Sequence, residues 1–163
     1  MRLFFAAWPP AESARALEGW ARGLQGRVVP AEKIHLTLAF LGEASAEKAA
    51  AAARRVRGRA HELPIELARH WKHNGIVWAG PREAPPALEA LVEALQLELF
   101  RAEFILERRA FAAHVTLLRK APAPPAFPPL PAVGWPVREF VLARSAVSPR
   151  GSTYEIVERF ALA

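Results

Sequence analysis

The tetrapeptide His-x-Thr-Leu occurs twice in this chain, at His35-Leu36-Thr37-Leu38 and at His114-Val115-Thr116-Leu117. The sequence holds only three threonines and five histidines, and two of those threonines stand two residues after a histidine. Both copies sit in apolar surroundings that read as β-strands. Residues i and i+2 of a strand point to the same face, so each copy presents one imidazole beside one hydroxyl. The copies lie in different halves of the chain. That placement suggests an internal duplication and two lobes facing one another, each giving one motif.

The rest of the pattern supplies the frame. Arg2 to Ala7 reads as a buried strand. Pro9-Pro10 opens a helix to about Leu24. Ile34 to Leu41 forms the first motif strand, ended by Gly42. Ser45 caps an alanine-rich helix that runs to about Arg59. Pro64 to Trp71 and Gly75 to Ala79 are strands joined by a hairpin at Asn74-Gly75. Pro85-Pro86 starts a helix with Leu88, Leu91, Val92, Leu95 and Leu99 on one face, ending near Glu103. Ala113 to Leu118 is the second motif strand. The proline-rich run from Ala121 to Pro131 is an extended connection. Val137 to Ser145 and Thr153 to Ala161 close the chain as a hairpin. Intermixed helices and hairpin-linked strands predict an α+β fold with antiparallel sheets, helices packed outside and a central cleft.

A length of 163 residues fits one bilobal domain over residues 1–163. The absence of cysteine excludes disulfides, thiolate nucleophiles and cysteine zinc sites. No apolar stretch approaches the ~20 residues of a membrane span, and a soluble, cytoplasmic protein is expected. No heptad or exposed apolar stripe asks for a protein partner, so a monomer is the default. The net charge of +6 serves either a solubilising surface or an anionic partner such as RNA.

The paired motifs suit phosphate esters. An imidazole titrates near 6.5, so at neutral pH one ring can accept a proton while the other donates. Thr37 and Thr116 can donate hydrogen bonds to phosphate oxygens. A phosphodiester held between His35 and His114 could be opened by in-line attack without a metal. His-x-Thr is no standard ligand spacing, so no metal and no cofactor are expected. No Gly-x-Ser-x-Gly, P-loop or dinucleotide fingerprint is present. Arg119 lies five residues after His114. On a regular strand it would face away from His114, and it divides evenly between a surface residue and a phosphate-neutralising one. Arg109 is a further basic residue near the second motif. His61, His70 and His73 read as solvated, and the five tryptophans as core. Tyr154, Phe5 and Phe40 could stack a base, with core packing as the first reading of each.

The two motifs resemble the signatures of the 2H phosphoesterase superfamily. The flanking segments Arg2-Leu3-Phe4-Phe5-Ala6-Ala7-Trp8-Pro9-Pro10 and Val77-Trp78-Ala79-Gly80, and the closing hairpin with Gly151 and Tyr154, resemble its RNA 2′,3′-cyclic phosphodiesterase branch, also called 2′-5′ RNA ligases. The resemblance implies metal-free hydrolysis of an RNA 2′,3′-cyclic phosphate end to a 2′-phosphate. It implies His35 and His114 as the acid/base pair, with His114 activating water and His35 protonating the 3′ oxygen. Thr37 and Thr116 would hold the phosphate, with help from Arg119. A reverse activity, joining ends such as tRNA halves through a 2′-5′ linkage, is also implied. Two positions depart from the family pattern: Ala113 where proline is frequent, and Ala39 where arginine is frequent. Two alternatives stay open at this point: RNA-end binding or ligation as the main role, and a small cyclic nucleotide-derived substrate.

Overall fold

A computed structural model of the chain describes residues 2–106 and 110–163. Seven strands form a continuous antiparallel path. In chain order they are β1 (Arg2–Ala7), β3 (Leu36–Glu43), β5 (Leu67–Trp71), β6 (Ile76–Gly80), β7 (Val115–Arg119), β9 (Glu139–Ser148) and β10 (Gly151–Ala161). Their spatial order is β10-β9-β1-β3-β7-β6-β5. The short β2 (Arg27–Val28) also pairs with β7, and β4 (His61–Glu62) pairs with β8 (Pro136–Val137) apart from the main sheet. The helices are α1 (Ala11–Ala21), α2 (Ala46–Ala53) and α3 (Pro86–Arg101). The expected α+β class and antiparallel pairing are observed.

Alternation along β1 explains the layering. Leu3, Phe5 and Ala7 enter the main core with Leu17, Leu91, Leu95 and Leu99 from the helices. Phe4 and Ala6 point the other way and form a small cluster with Val141 and Ala143. The helices cover one face, therefore, and the other remains open for a site. Strand-helix-strand order recurs in the two halves, as β1-α1-β3 and β6-α3-β7. The helices are exchanged in packing: α1 lies against β7 and α3 against β3. The two motif strands meet at a single pair, Leu36↔Val115, the middle residues of the two motifs.

Local sequence sets the boundaries. Ser45 caps α2 by accepting from the Lys48 N–H at 3.3 Å, but the helix ends at Ala53 rather than near Arg59. Beyond it Val56 turns into the core, and at Gly58 a Cβ would lie 3.0 Å from Leu162 Cδ2. Leu88, Leu91, Val92, Leu95 and Leu99 of α3 are all buried, as their spacing predicted. Gly42 does not end β3; it lies within the strand at φ +66°. His61, read as solvated, lies half-buried in strand β4.

Both motif strands carry a β-bulge at the same motif position. Trp78 pairs with Thr116 and Val77 with Leu118, so Leu117 is the extra residue of β7. Ala6 pairs with Thr37 and Phe5 with Ala39, so Leu38 is the extra residue of β3. The leucine after each threonine is thus skipped in pairing, and it is buried in both copies. Bulges bend a strand and raise its twist. Six strand spacings would hold β10 and β5 roughly 29 Å apart in a flat sheet, yet residues of both hairpins line one cavity. The sheet is therefore curved around the motif strands.

Candidate active site

His35 and His114 each stand one residue before their strand and are anchored in the same way. The Nδ1–H of His35 donates to the Lys33 carbonyl at 2.7 Å. That of His114 donates to the Ala112 carbonyl at 2.9 Å. In both cases the acceptor is the residue two positions earlier. The bond fixes the tautomer and leaves Nε2 as the proton-exchanging nitrogen. His35 Nε2 accepts from the Thr37 hydroxyl at 3.0 Å, which realises the same-face reading of His-x-Thr.

The four motif residues and Arg119 line one cavity of about 920 Å³. Antiparallel pairing centred on Leu36↔Val115 directs the His35 end of one motif towards the Thr116 end of the other. Among the described residues, the charged members of the lining are Arg27, Lys33 and Arg119, with His35, His73 and His114 as further titratable groups and no carboxylate. Such a cavity favours anions. Among the described residues no three His, Cys, Asp or Glu side chains gather as a metal site would require.

Arg119 corrects the expectation drawn from regular alternation. The bulge buries Leu117 and Leu118 in succession, which shifts the parity of β7 and turns Arg119 to the same face as Thr116. The correction is not legible from residue spacing alone, because nothing in Thr-Leu-Leu-Arg announces a bulge. Arg109 lies outside the described residues.

The aromatic residues also depart from expectation. His35 is stacked on Trp8 at 4.8 Å between ring centroids, with Phe4 at 5.2 Å and Tyr154 edge-on at 5.3 Å. His114 lies 4.6 Å from Trp71 and 6.2 Å from Trp78. Trp8, Trp71 and Trp78 thus surround the imidazoles, and only Trp135 of the five tryptophans is fully buried in the core. Phe5 is core, whereas Phe40 is 47% exposed and lines the cavity with Tyr154. His73 is exposed on the cavity rim, and His70 is half-buried, its Nε2 donating to the Ala121 carbonyl at 2.8 Å.

This enclosure lowers the His35 pKa from 6.5 to about 4, chiefly by desolvation. The Lys33 carbonyl opposes the shift, while the charges of Arg119 and His114 add to it. At neutral pH the ring is therefore uncharged.

Gly80 holds the second motif from behind. A Cβ there would lie 2.7 Å from the carbonyl oxygen of Ala113, the residue before His114. The absence of a side chain permits the chain leading to His114 to pack directly on the end of β6.

Two His-x-Thr pairs meeting on adjacent strands of a curved antiparallel sheet define the 2H class of phosphoesterases. A family model described as LigT like Phosphoesterase matches residues 8–78. The chain is 37% identical to the RNA 2′,3′-cyclic phosphodiesterase of Escherichia coli strain K12, over 99% of this chain and 96% of that protein. It is 35% identical to the protein of the same description from Thermus thermophilus, over 99% and 90%. The crystal structure of E. coli LigT in apo form superposes with a TM-score of 0.92 at 35% identity, covering 99% of this chain and 97% of that one. The chain belongs to the LigT-like RNA 2′,3′-cyclic phosphodiesterase family, whose members are phosphodiester hydrolases acting on RNA with cyclic phosphate ends. No described helix is long and apolar enough to cross a membrane.

Proposed function

We propose that this protein hydrolyses RNA 2′,3′-cyclic phosphate ends to 2′-phosphates by two-histidine acid/base catalysis. The observation that carries the reading is the matched anchoring of the two rings. Each has its Nδ1 bonded to the carbonyl two residues earlier, in one cavity whose described lining residues include three cations and no carboxylate. His114 takes a proton from water as the water oxygen attacks phosphorus. The P–O3′ bond breaks, and His35 gives its Nε2 proton to O3′. The products are a 2′-phosphomonoester and a free 3′ hydroxyl. Thr37 and Thr116 donate to the non-bridging oxygens, and Arg119 balances their growing charge. With an RNA 5′ hydroxyl in place of water the same step forms a 2′-5′ linkage. His114 takes the 5′ hydroxyl proton as its oxygen attacks phosphorus, the P–O3′ bond breaks, and His35 protonates O3′. The rings exchange roles only when that linkage is cleaved back to the cyclic phosphate. E. coli LigT forms a crystalline complex with 3′-AMP, which supports a cavity able to take a nucleotide.

Donation from His35 carries a condition. Its pKa of about 4 must rise when a phosphate anion binds. The anion opposes desolvation and offsets the charges of Arg119 and His114. NMR titration of His35 with and without adenosine 2′-phosphate tests this, and a rise of at least a unit is expected. An unchanged pKa would transfer the donor role to His114. The proposal places the protein in the cytoplasm as a monomer that needs no metal or cofactor. Hydrolysis of a short RNA ending in 2′,3′-cyclic phosphate, compared with His35→Ala and His114→Ala, tests its core.

A further inference from the structure

Arg27 and Arg119 are direct partners in the β2–β7 pairing. Directly opposed residues of an antiparallel pair share a face, and like charges so placed are destabilising. Both line the active-site cavity. Among the described residues neither forms a salt bridge, and neither does Lys33. A Cβ at Gly151 would lie 3.8 Å from Arg27 Nη2 and 3.9 Å from Lys33 Nζ. Two unpaired cations therefore converge on one point of the β9–β10 turn. A side chain at Gly151 would project towards that point, and φ of +106° also disfavours one. One phosphodiester at the histidine pair carries one negative charge. Three cations, with no carboxylate among the described residues of the lining, hold more charge than that anion neutralises.

We propose that Arg27 and Lys33 form a second phosphate site, for the phosphate 5′ of the terminal nucleotide, while Arg119 serves the reacting phosphate. The inference rests on the cyclic-phosphate reading above and names its substrate class: ends of oligonucleotides rather than free nucleoside cyclic phosphates. The group bound is a phosphate anion, supplied either by an internucleotide linkage or by a terminal 5′-phosphate.

Four substrates test it: adenosine 2′,3′-cyclic phosphate, its 5′-phosphorylated form, and ApA 2′,3′-cyclic phosphate with either a phosphate or a neutral methylphosphonate linkage. The wild type should favour the phosphate-linked dinucleotide over its methylphosphonate analogue by at least about tenfold in kcat/KM, as for loss of charge-assisted hydrogen bonds. The double variant Arg27→Ala/Lys33→Ala should bring that ratio close to one, and Arg27→Lys should keep most of it. A gain in the 5′-phosphorylated nucleoside as well identifies phosphate itself as the determinant; a gain in the dinucleotide alone identifies the linkage. A wild-type ratio near one, or a ratio untouched in the double variant, overturns the site while leaving the hydrolase reading intact. Failure of all four to turn over removes the hydrolase reading instead. Binding of 2′-phosphorylated ApA by calorimetry then still decides the site. The methylphosphonate linkage should weaken binding to the wild type and lower the salt slope by about 0.7. Equal binding of the two linkages overturns the proposal.

Discussion

The packing of His35 against Trp8, Phe4 and Tyr154 gives the protein a pH-dependent stability. The His35 pKa is lowered from 6.5 to about 4, so the unfolded chain binds the proton more readily than the native one. Stability from this group is complete above pH 6.5 and declines as pH falls towards 4, by up to about 3 kcal/mol. Urea unfolding of the wild type and His35→Gln across this window should show the loss only in the wild type. Parallel curves would mean that His35 is not desolvated. In catalysis, His35→Ala and His114→Ala should each lower kcat by at least 10²–10⁴-fold, the range of acid/base groups. At this scale the sequence is informative where the rule is local. His-x-Thr places two side chains on one face whatever the rest of the chain does, and His35 and Thr37 bond as that rule requires. Trp8 and Trp71 were not legible in the same way. An indole packs equally well into a core or against an imidazole, and the choice depends on which strand lies opposite.

The bulges at Leu38 and Leu117 decide what the motif strands present. Without the extra residue, Arg119 would turn to the helix-covered face and Leu118 to the cavity. The parity argument from sequence failed there for a physical reason: strand alternation holds only between bulges. The helices were more legible, because α3 needs only its own 3.6-residue period to declare its buried face. The end of α2 was not, since Gly58 and Val56 answer to Leu162 and the core rather than to their neighbours in sequence. Gly80 makes a prediction at this scale. Gly80→Ala must push the Ala113 carbonyl away, costing about 1–3 kcal/mol of stability. Moving His114 with it should lower kcat by up to about 10²-fold, with thermal unfolding and steady-state kinetics as the readouts. Wild-type kcat in a fully folded Gly80→Ala protein would show that the contact does not position His114.

Across the whole molecule, curvature brings the β9–β10 and β5–β6 hairpins to one cavity, and the helices close the opposite face. The charge of +6, uninformative as a sum, acquires a location once Arg27, Lys33 and Arg119 are found in a cavity whose described lining residues include no carboxylate. Affinity for an RNA end should therefore fall with rising salt, with a log–log slope of about 0.7 per phosphate engaged. A flat salt response would place the relevant charge elsewhere. The most direct test of the central claim is hydrolysis of a short RNA ending in 2′,3′-cyclic phosphate, in excess EDTA, with the product resolved. The account predicts a 2′-phosphate product that disappears in both His35→Ala and His114→Ala. No turnover, turnover only after a metal is restored, or turnover surviving either substitution would contradict it.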